Sequence, residues 1–321
     1  MPSSDDASSP VRIGAPPGHT QVDVLSLPLQ RVNAPQSLGQ GLAKVREIWQ
    51  HRELLDQLVR KELKVKYKDS VLGFLWTLLR PLLQLLVYSV AIGLFLGASK
   101  TIPEFGVYLF TGLLAWTLFT DIVAGCTGSI VGNAGLVKKV YFPRELFPLS
   151  VVGAALVNIF LQVTVLLAAY LVTRHWPSPD NLLLVPIALL VLVLFGTALG
   201  LLLAAANVYL RDVTYLVEVC LLLWFWMTPV VYAWTNVRTQ LAETHHLPWL
   251  FQAYLANPIA DVVLAFQRAL WPGGSSGKGA QFAYTGNLYL RLAILAAVCS
   301  GLLWLAQWVF ARAQGNFARE L

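Results

Sequence analysis

Charge is the scarcest ingredient of this chain. Only 12% of its 321 residues are Asp, Glu, Lys or Arg, about half the share of an average soluble domain. So little charge excludes an ordinary water-facing globular fold. It also removes nucleic-acid binding, because a net charge of +6 has no polar scaffold with exposed stacking aromatics to act through. Cysteine is almost absent. Cys126, Cys220 and Cys299 are odd in number, far apart and inside or beside apolar stretches. They read as small buried hydrophobes, not as a disulfide framework or a metal site.

Catalytic patterns are missing as well. The five histidines, His19, His51, His175, His245 and His246, never fall at the i, i+4 spacing that puts two imidazoles on one helical face. There is no Gly-x-Ser-x-Gly elbow and no close carboxylate pair to hold a metal. "GGSSGKGA" (273–280) looks like a phosphate loop. Yet Pro272 stands where its first glycine belongs, and Gly279 follows the lysine in place of Ser or Thr. It reads as a flexible external loop. The chain has no nucleotide site of its own and binds no cofactor.

What is present is hydrocarbon. Hydrophobic residues make up 57% of the sequence, and several runs exceed the roughly 20 residues a helix needs to cross a bilayer. The fold class is therefore an all-α integral membrane protein. Six spans are predicted, at about 71–97, 107–124, 146–173, 182–206, 213–234 and 288–310. A further apolar stretch, 247–271, is cut by Asn257-Pro258 and carries Asp261 and Arg268. It is read as two short re-entrant helices that dip into the outer leaflet. Pro81 and Pro229 each remove a backbone donor inside a predicted span and are expected to kink it.

Lys and Arg orient these spans. Eight precede the first, from Lys44 to Lys68; Lys138, Lys139 and Arg144 join spans two and three; Arg211 joins four and five; Arg312 and Arg319 follow the sixth. The alternate connections are poorer in basic residues. The richer set is expected in the cytosol, with both termini. Residues 1–38, Pro/Ser-rich and without a signal-peptide pattern, are read as a disordered cytosolic tail. Residues 39–70 repeat apolar positions every three to four residues, with basic residues opposite. This predicts an amphipathic helix on the membrane surface, an ordinary cytosolic helix packed on its own protein being the plainer reading. The six-span domain then occupies 71–321.

Ionisable groups inside spans are functional candidates by default. Arg80 lies deepest and suits a polar cavity or a lipid phosphate. Asp121 and Glu218 sit near a predicted interface, where a local ion pair explains them. The sequence holds 11 Trp, 11 Tyr and 15 Phe, many near span ends. An interfacial belt accounts for most of them, while aromatic faces also suit sugar rings. Trp76, Trp116 and Tyr232 join Arg80 as candidates for a substrate path.

The motifs "YKDSVLGFLWTLLRPLLQLLVY", "NAGLVKKVYFPRELFPL", "NVYLRDV", "MTPVVY" and "ANPIADVVLAFQRAL" follow the basic amphipathic helix in that order. From about residue 40 onward the chain resembles the membrane subunit of type-2 ABC exporters of bacterial polysaccharides. That resemblance implies a homodimer above two copies of a separate cytosolic ATPase subunit, which binds the ATP and Mg. It implies an inner or plasma membrane location and a lipid-linked glycan as substrate. It also implies that Asn133, Leu136, Lys138, Lys139, Phe142 and Pro143 form a coupling helix seated in the ATPase. Tyr209, Arg211 and Asp212 would make a second contact, and the helices around Asn257 and Pro258 would shape the exit. The rival readings are an exporter of small amphiphiles and a membrane-embedded transferase acting on lipid-linked sugars.

Overall fold

A computed structural model describes residues 41–67, 75–139, 143–274 and 277–321. Among these residues the regular structure is entirely helical, as the composition predicts. Two short helices, α1 (Gly41–Gln50) and α2 (Arg52–Tyr67), replace the single surface helix expected over 39–70. The break falls at His51, whose Nδ1 lies 2.9 Å from the Glu47 carbonyl. One face of α2 packs on the bundle through buried Leu58, while Val65 of α2 and Trp49 of α1 remain exposed. The predicted tail, residues 1–38, lies outside the described residues.

The first span comprises α3 (Leu75–Tyr88) and a wider π-helical continuation, Ser89–Phe95. The α-helix runs on through Pro81, and the change in winding comes eight residues later. A short α4 (Ala98–Thr101) leads to α5 (Phe105–Gly132), and α6 (Ala134–Lys139) joins that to α7 (Leu146–Thr173). Then come α8 (Leu184–Tyr209), α9 (Val213–Trp226) and α10 (Trp234–Arg238). After these follow α11 (Pro248–Leu255), α12 (Pro258–Leu270), α13 (Leu288–Ala313) and α14 (Phe317–Glu320).

Five helical stretches are long and apolar enough to cross a membrane, or six if the bent pair α11–α12 is one span. That pair turns through 72°, because Pro258 starts a new helix whose first turn is capped by the Asn257 side chain. The expected fifth span is shorter than predicted. Its helix, α9, has 14 residues, about 21 Å at 1.5 Å per residue. It stops before Pro229, and a buried irregular strand of chain, 228–231, carries on into the bundle.

Helix α5 is the centre. Of its most apolar stretch 78% is buried, against 11% for the first span and 17% for α13. It runs eight residues past its predicted end, through Gly125, Cys126, Thr127, Gly128 and Ser129. Such small residues read as a loop in the sequence. In the bundle they permit close approach: a Cβ added at Gly200 of α8 would lie 2.6 Å from the Cys126 Cβ. Cys126 and Cys299 are buried as expected, whereas Cys220 is exposed on α9, a correction to the reading of all three as interior residues.

Candidate functional site

The connections gather at two ends of the bundle. One holds α2, α6, the turn after α8 and the C-terminus, and it carries most of the basic residues. Here Asn133 closes α5. Its Nδ2 donates to the Ser129 carbonyl at 2.8 Å, and its Oδ1 accepts from Lys61 of α2. A second tie, from Lys66 Nζ to Asp121 Oδ2 at 3.4 Å, holds α2 along α5. Asp121 is thus satisfied by an ion pair. Asn133 is buried, so it acts as a strut and offers no outer surface.

The short helix α6 alternates. Val137 is 4% exposed, in an apolar cluster with Leu58, Leu146, Phe310 and Phe317, while Leu136 is 38% exposed and Lys138 faces outward. Pro143 is half-buried, and its carbonyl accepts the first donor of the turn that opens α7. Phe142 and the side chain of Lys139 lie outside the described residues. Beyond them, Arg144 donates to the Gln314 carbonyl and sits 5.9 Å over the Phe317 ring. Glu145 is buried and accepts from Gln307 Nε2 at 3.0 Å.

The second connection stands beside the first. Tyr209 donates to the Ala313 carbonyl at 3.2 Å. Arg211 and Asp212 are exposed, and Asp212 precedes α9, where its carbonyl receives the Leu216 amide. Asn207 fixes the turn from below: it donates to the Thr127 carbonyl at 3.0 Å and accepts from Thr214 at 3.0 Å. Of the residues expected to meet a partner, Leu136, Lys138, Arg211 and Asp212 are exposed at this end of the bundle, while Asn133 is turned inward. Arg144, Asn207, Gln307 and Phe317 support that end and were not among the predicted residues. The signal available was slight: Arg144-Glu145 directly after a proline, and a lone Phe317 in a polar tail.

The residues expected to line a path do not converge within one chain. Trp76 and Arg80 are exposed on α3. Trp116 is buried, its ring 5.6 Å from Phe119 and 5.5 Å from Phe225. At the opposite end Asn257 accepts from Trp224 Nε1 at 3.0 Å and donates to Thr228 at 3.1 Å, fixing the α11–α12 bend to the top of α9. Tyr232 donates to the Trp226 carbonyl at 2.8 Å.

Sequence reading missed the principal ion pair of this end. Arg291 of α13 meets both oxygens of Asp261 on α12, at 2.9 and 3.0 Å, and also reaches the Leu255 carbonyl. The described part of the glycine-rich 273–280 stretch is wound in short 3-10 turns over Trp271, whose Nε1 donates to the Pro103 carbonyl at 3.0 Å. Among the described residues no group of His, Cys, Asp and Glu is placed to hold a metal.

Residues 53–268 match the ABC-2 type transporter family. The chain is 33% identical over 277 residues to the O-antigen export system permease protein RfbA of Myxococcus xanthus, covering 86% of this chain and 98% of that protein. A protein of the same name from Klebsiella pneumoniae is 28% identical over 246 residues, 77% of this chain and 89% of its own length. The polysialic acid transport protein KpsM of Escherichia coli is 22% identical over 226 residues, 68% of this chain and 81% of its own.

Proposed function

The chain belongs to the ABC-2 type transporter family, and from that premise we propose that it is the permease subunit of an ATP-driven polysaccharide exporter. Two of the relatives above are named for O-antigen export and one for polysialic acid transport, which favours a glycan over small amphiphiles or a transferase reaction. The basic end faces the cytosol by the positive-inside rule, with both termini there. ATP and Mg are bound by a separate ATPase subunit, two copies of which sit below a homodimer of this chain.

One observation carries this reading. Leu136 and Lys138 stand outward on a helix whose intervening Val137 is buried and whose first residue follows the clamped Asn133. An apolar knob and a cation on a fixed mount suit a partner's groove, because little backbone freedom remains to be lost on docking. Arg211 and Asp212 extend the same surface. The substrate is a lipid-linked glycan. It enters laterally between copies beside α2 and α3, whose outer face keeps Leu82, Leu83, Leu86 and Val87 exposed to lipid or to the second copy.

The test is export by the complete exporter with Leu136→Asp or Lys138→Glu in this chain. Both variants are expected to lose most transport driven by ATP, while the protein remains in the membrane at its usual level. Parental export by both would return α6 to an ordinary topological loop.

A further inference from the structure

After α13 the chain turns back through Gln314–Asn316 into α14. Phe317, at its start, is fully buried. Its ring meets Phe310 edge-on at 5.4 Å and Tyr209 at 6.4 Å, and Arg144 covers it at 5.9 Å. The backbone just before it is engaged too: the Ala313 carbonyl receives Tyr209, and the Gln314 carbonyl receives Arg144. Arg144 ends the connection that carries α6, and Tyr209 opens the second connection. Val137, on α6 itself, belongs to the same apolar cluster as Phe317. A push on α6 passes along the chain to α7. At this end of the bundle it also meets the Phe317 cluster, which holds α8 and the turn after it.

We propose that the C-terminal segment 314–321 is a clasp, with Phe317 as its positioning residue, that makes α6 and the Tyr209 turn move as one body. The inference rests on the reading that these two connections receive the ATPase. It assigns the C-terminus a role neither connection has alone: converting a stroke at α6 into a joint displacement of α7, α8 and α9. Phe317 needs no contact with the partner for this. Aromatic edges and a guanidinium face fix direction as well as distance, so the two connections cannot slide past each other.

The experiment uses the complete two-subunit exporter in proteoliposomes and reads glycan exported per ATP hydrolysed, normalised to complex recovered. Phe317→Ala is expected to lower that ratio on the order of tenfold, the size of an ordinary coupling between linked sites. Phe317→Leu refills most of the volume and is expected to restore part of the ratio. Tyr209→Phe, which removes only the bond to the Ala313 carbonyl, should cause little further loss when added to Phe317→Ala, since both changes release the same clasp. A parental ratio in Phe317→Ala overturns the clasp. If that variant is not recovered from membranes, Arg144→Gln takes its place. It frees the Gln314 carbonyl and the ring face without opening the cluster, and a parental ratio there overturns the clasp equally. A clasp that fails while Leu136→Asp still abolishes export leaves the docking surface standing. Parental export by both Leu136→Asp and Lys138→Glu overturns the docking surface and the clasp together.

Discussion

Replacing Asp261 with asparagine takes from Arg291 the carboxylate it now meets at 2.9 and 3.0 Å. The Asp261 side chain is 3% exposed and that of Arg291 29%, so neither charge can turn fully to water. Removing one member of such a buried pair costs about 3–5 kcal/mol, because the other is left without its counter-charge. Asparagine keeps one acceptor oxygen, and Arg291 keeps the Leu255 carbonyl and the Tyr284 ring, 6.0 Å away. The loss therefore falls at the lower end, about 3 kcal/mol. For a chain of this length that is a fall of about 6 °C in the midpoint, at roughly 2 °C per kcal/mol.

Arg291→Met is the harsher change, since it strands the more buried of the two charges. The double variant Asp261→Leu/Arg291→Met strands nothing and should recover to within about 1 kcal/mol of the parent, apolar replacements of buried pairs being close to neutral. The assay is thermal unfolding of detergent-purified protein at one fixed heating rate, read by tryptophan fluorescence and by the fraction still eluting as a single species. A midpoint for Asp261→Asn within 1 °C of the parent refutes the reasoning, taking about 2 °C per kcal/mol as the scale. So does a double variant no more stable than Arg291→Met. Either result would mean that the pair is solvated and contributes little to holding α12 on α13.

Gly153→Ala should destabilise by about 1–2 kcal/mol through overpacking, because the new Cβ would lie 2.7 Å from Val59 Cγ2 of α2. Val59→Ala in the same protein should reverse most of that in the same melt. Asn257→Ala removes the cap of α12 and the acceptor of Trp224 Nε1, for about 2 kcal/mol in all. The accompanying sign is a change in near-ultraviolet circular dichroism from Trp224, and an unchanged spectrum would count against that hydrogen bond.

The helical class and most of the spans were legible because each depends on neighbours in sequence. Apolar run length and the positive-inside count are local quantities. The last eight residues of α5 were not, since small residues such as Gly125 and Gly128 carry little apolar signal and the predicted span ended at 124. Asn133 was expected on the outer surface because it sits in the right motif; its partner Lys61 is distant in the chain, and no periodicity announces the contact. The same holds for Asp261 with Arg291 and for Arg144 with Phe317. Trp116 was expected beside a substrate path and is buried instead between Phe119 and Phe225. A tryptophan near a span end looks alike in either role.

The aromatic abundance has a second cause that the belt reading omits. Beyond α9 the chain continues without regular helix through 228–233, and backbone carbonyls released there need donors, since hydrocarbon offers none. Tyr108 donates to the Tyr232 carbonyl and Gln267 to the Pro229 carbonyl, each at 3.0 Å, while Trp234, just past the segment, donates to the Phe282 carbonyl at 2.9 Å. Tyr170 of α7 does the same for Leu270. The Tyr and Trp side chains bring an apolar body to the bundle and a single donor to one carbonyl, which is what irregular backbone buried in protein requires. The end of the molecule opposite the basic face is therefore held by directional bonds from α5, α7 and α12, and its shape cannot relax the way a hydrocarbon-packed helix end can. Any change of shape at that end must move α5 and α12 with it. The Phe317 cluster, which binds helix ends together at the basic end, and the Asp261–Arg291 pair, which binds α12 to α13 at the other, therefore brace the same bundle from its two ends.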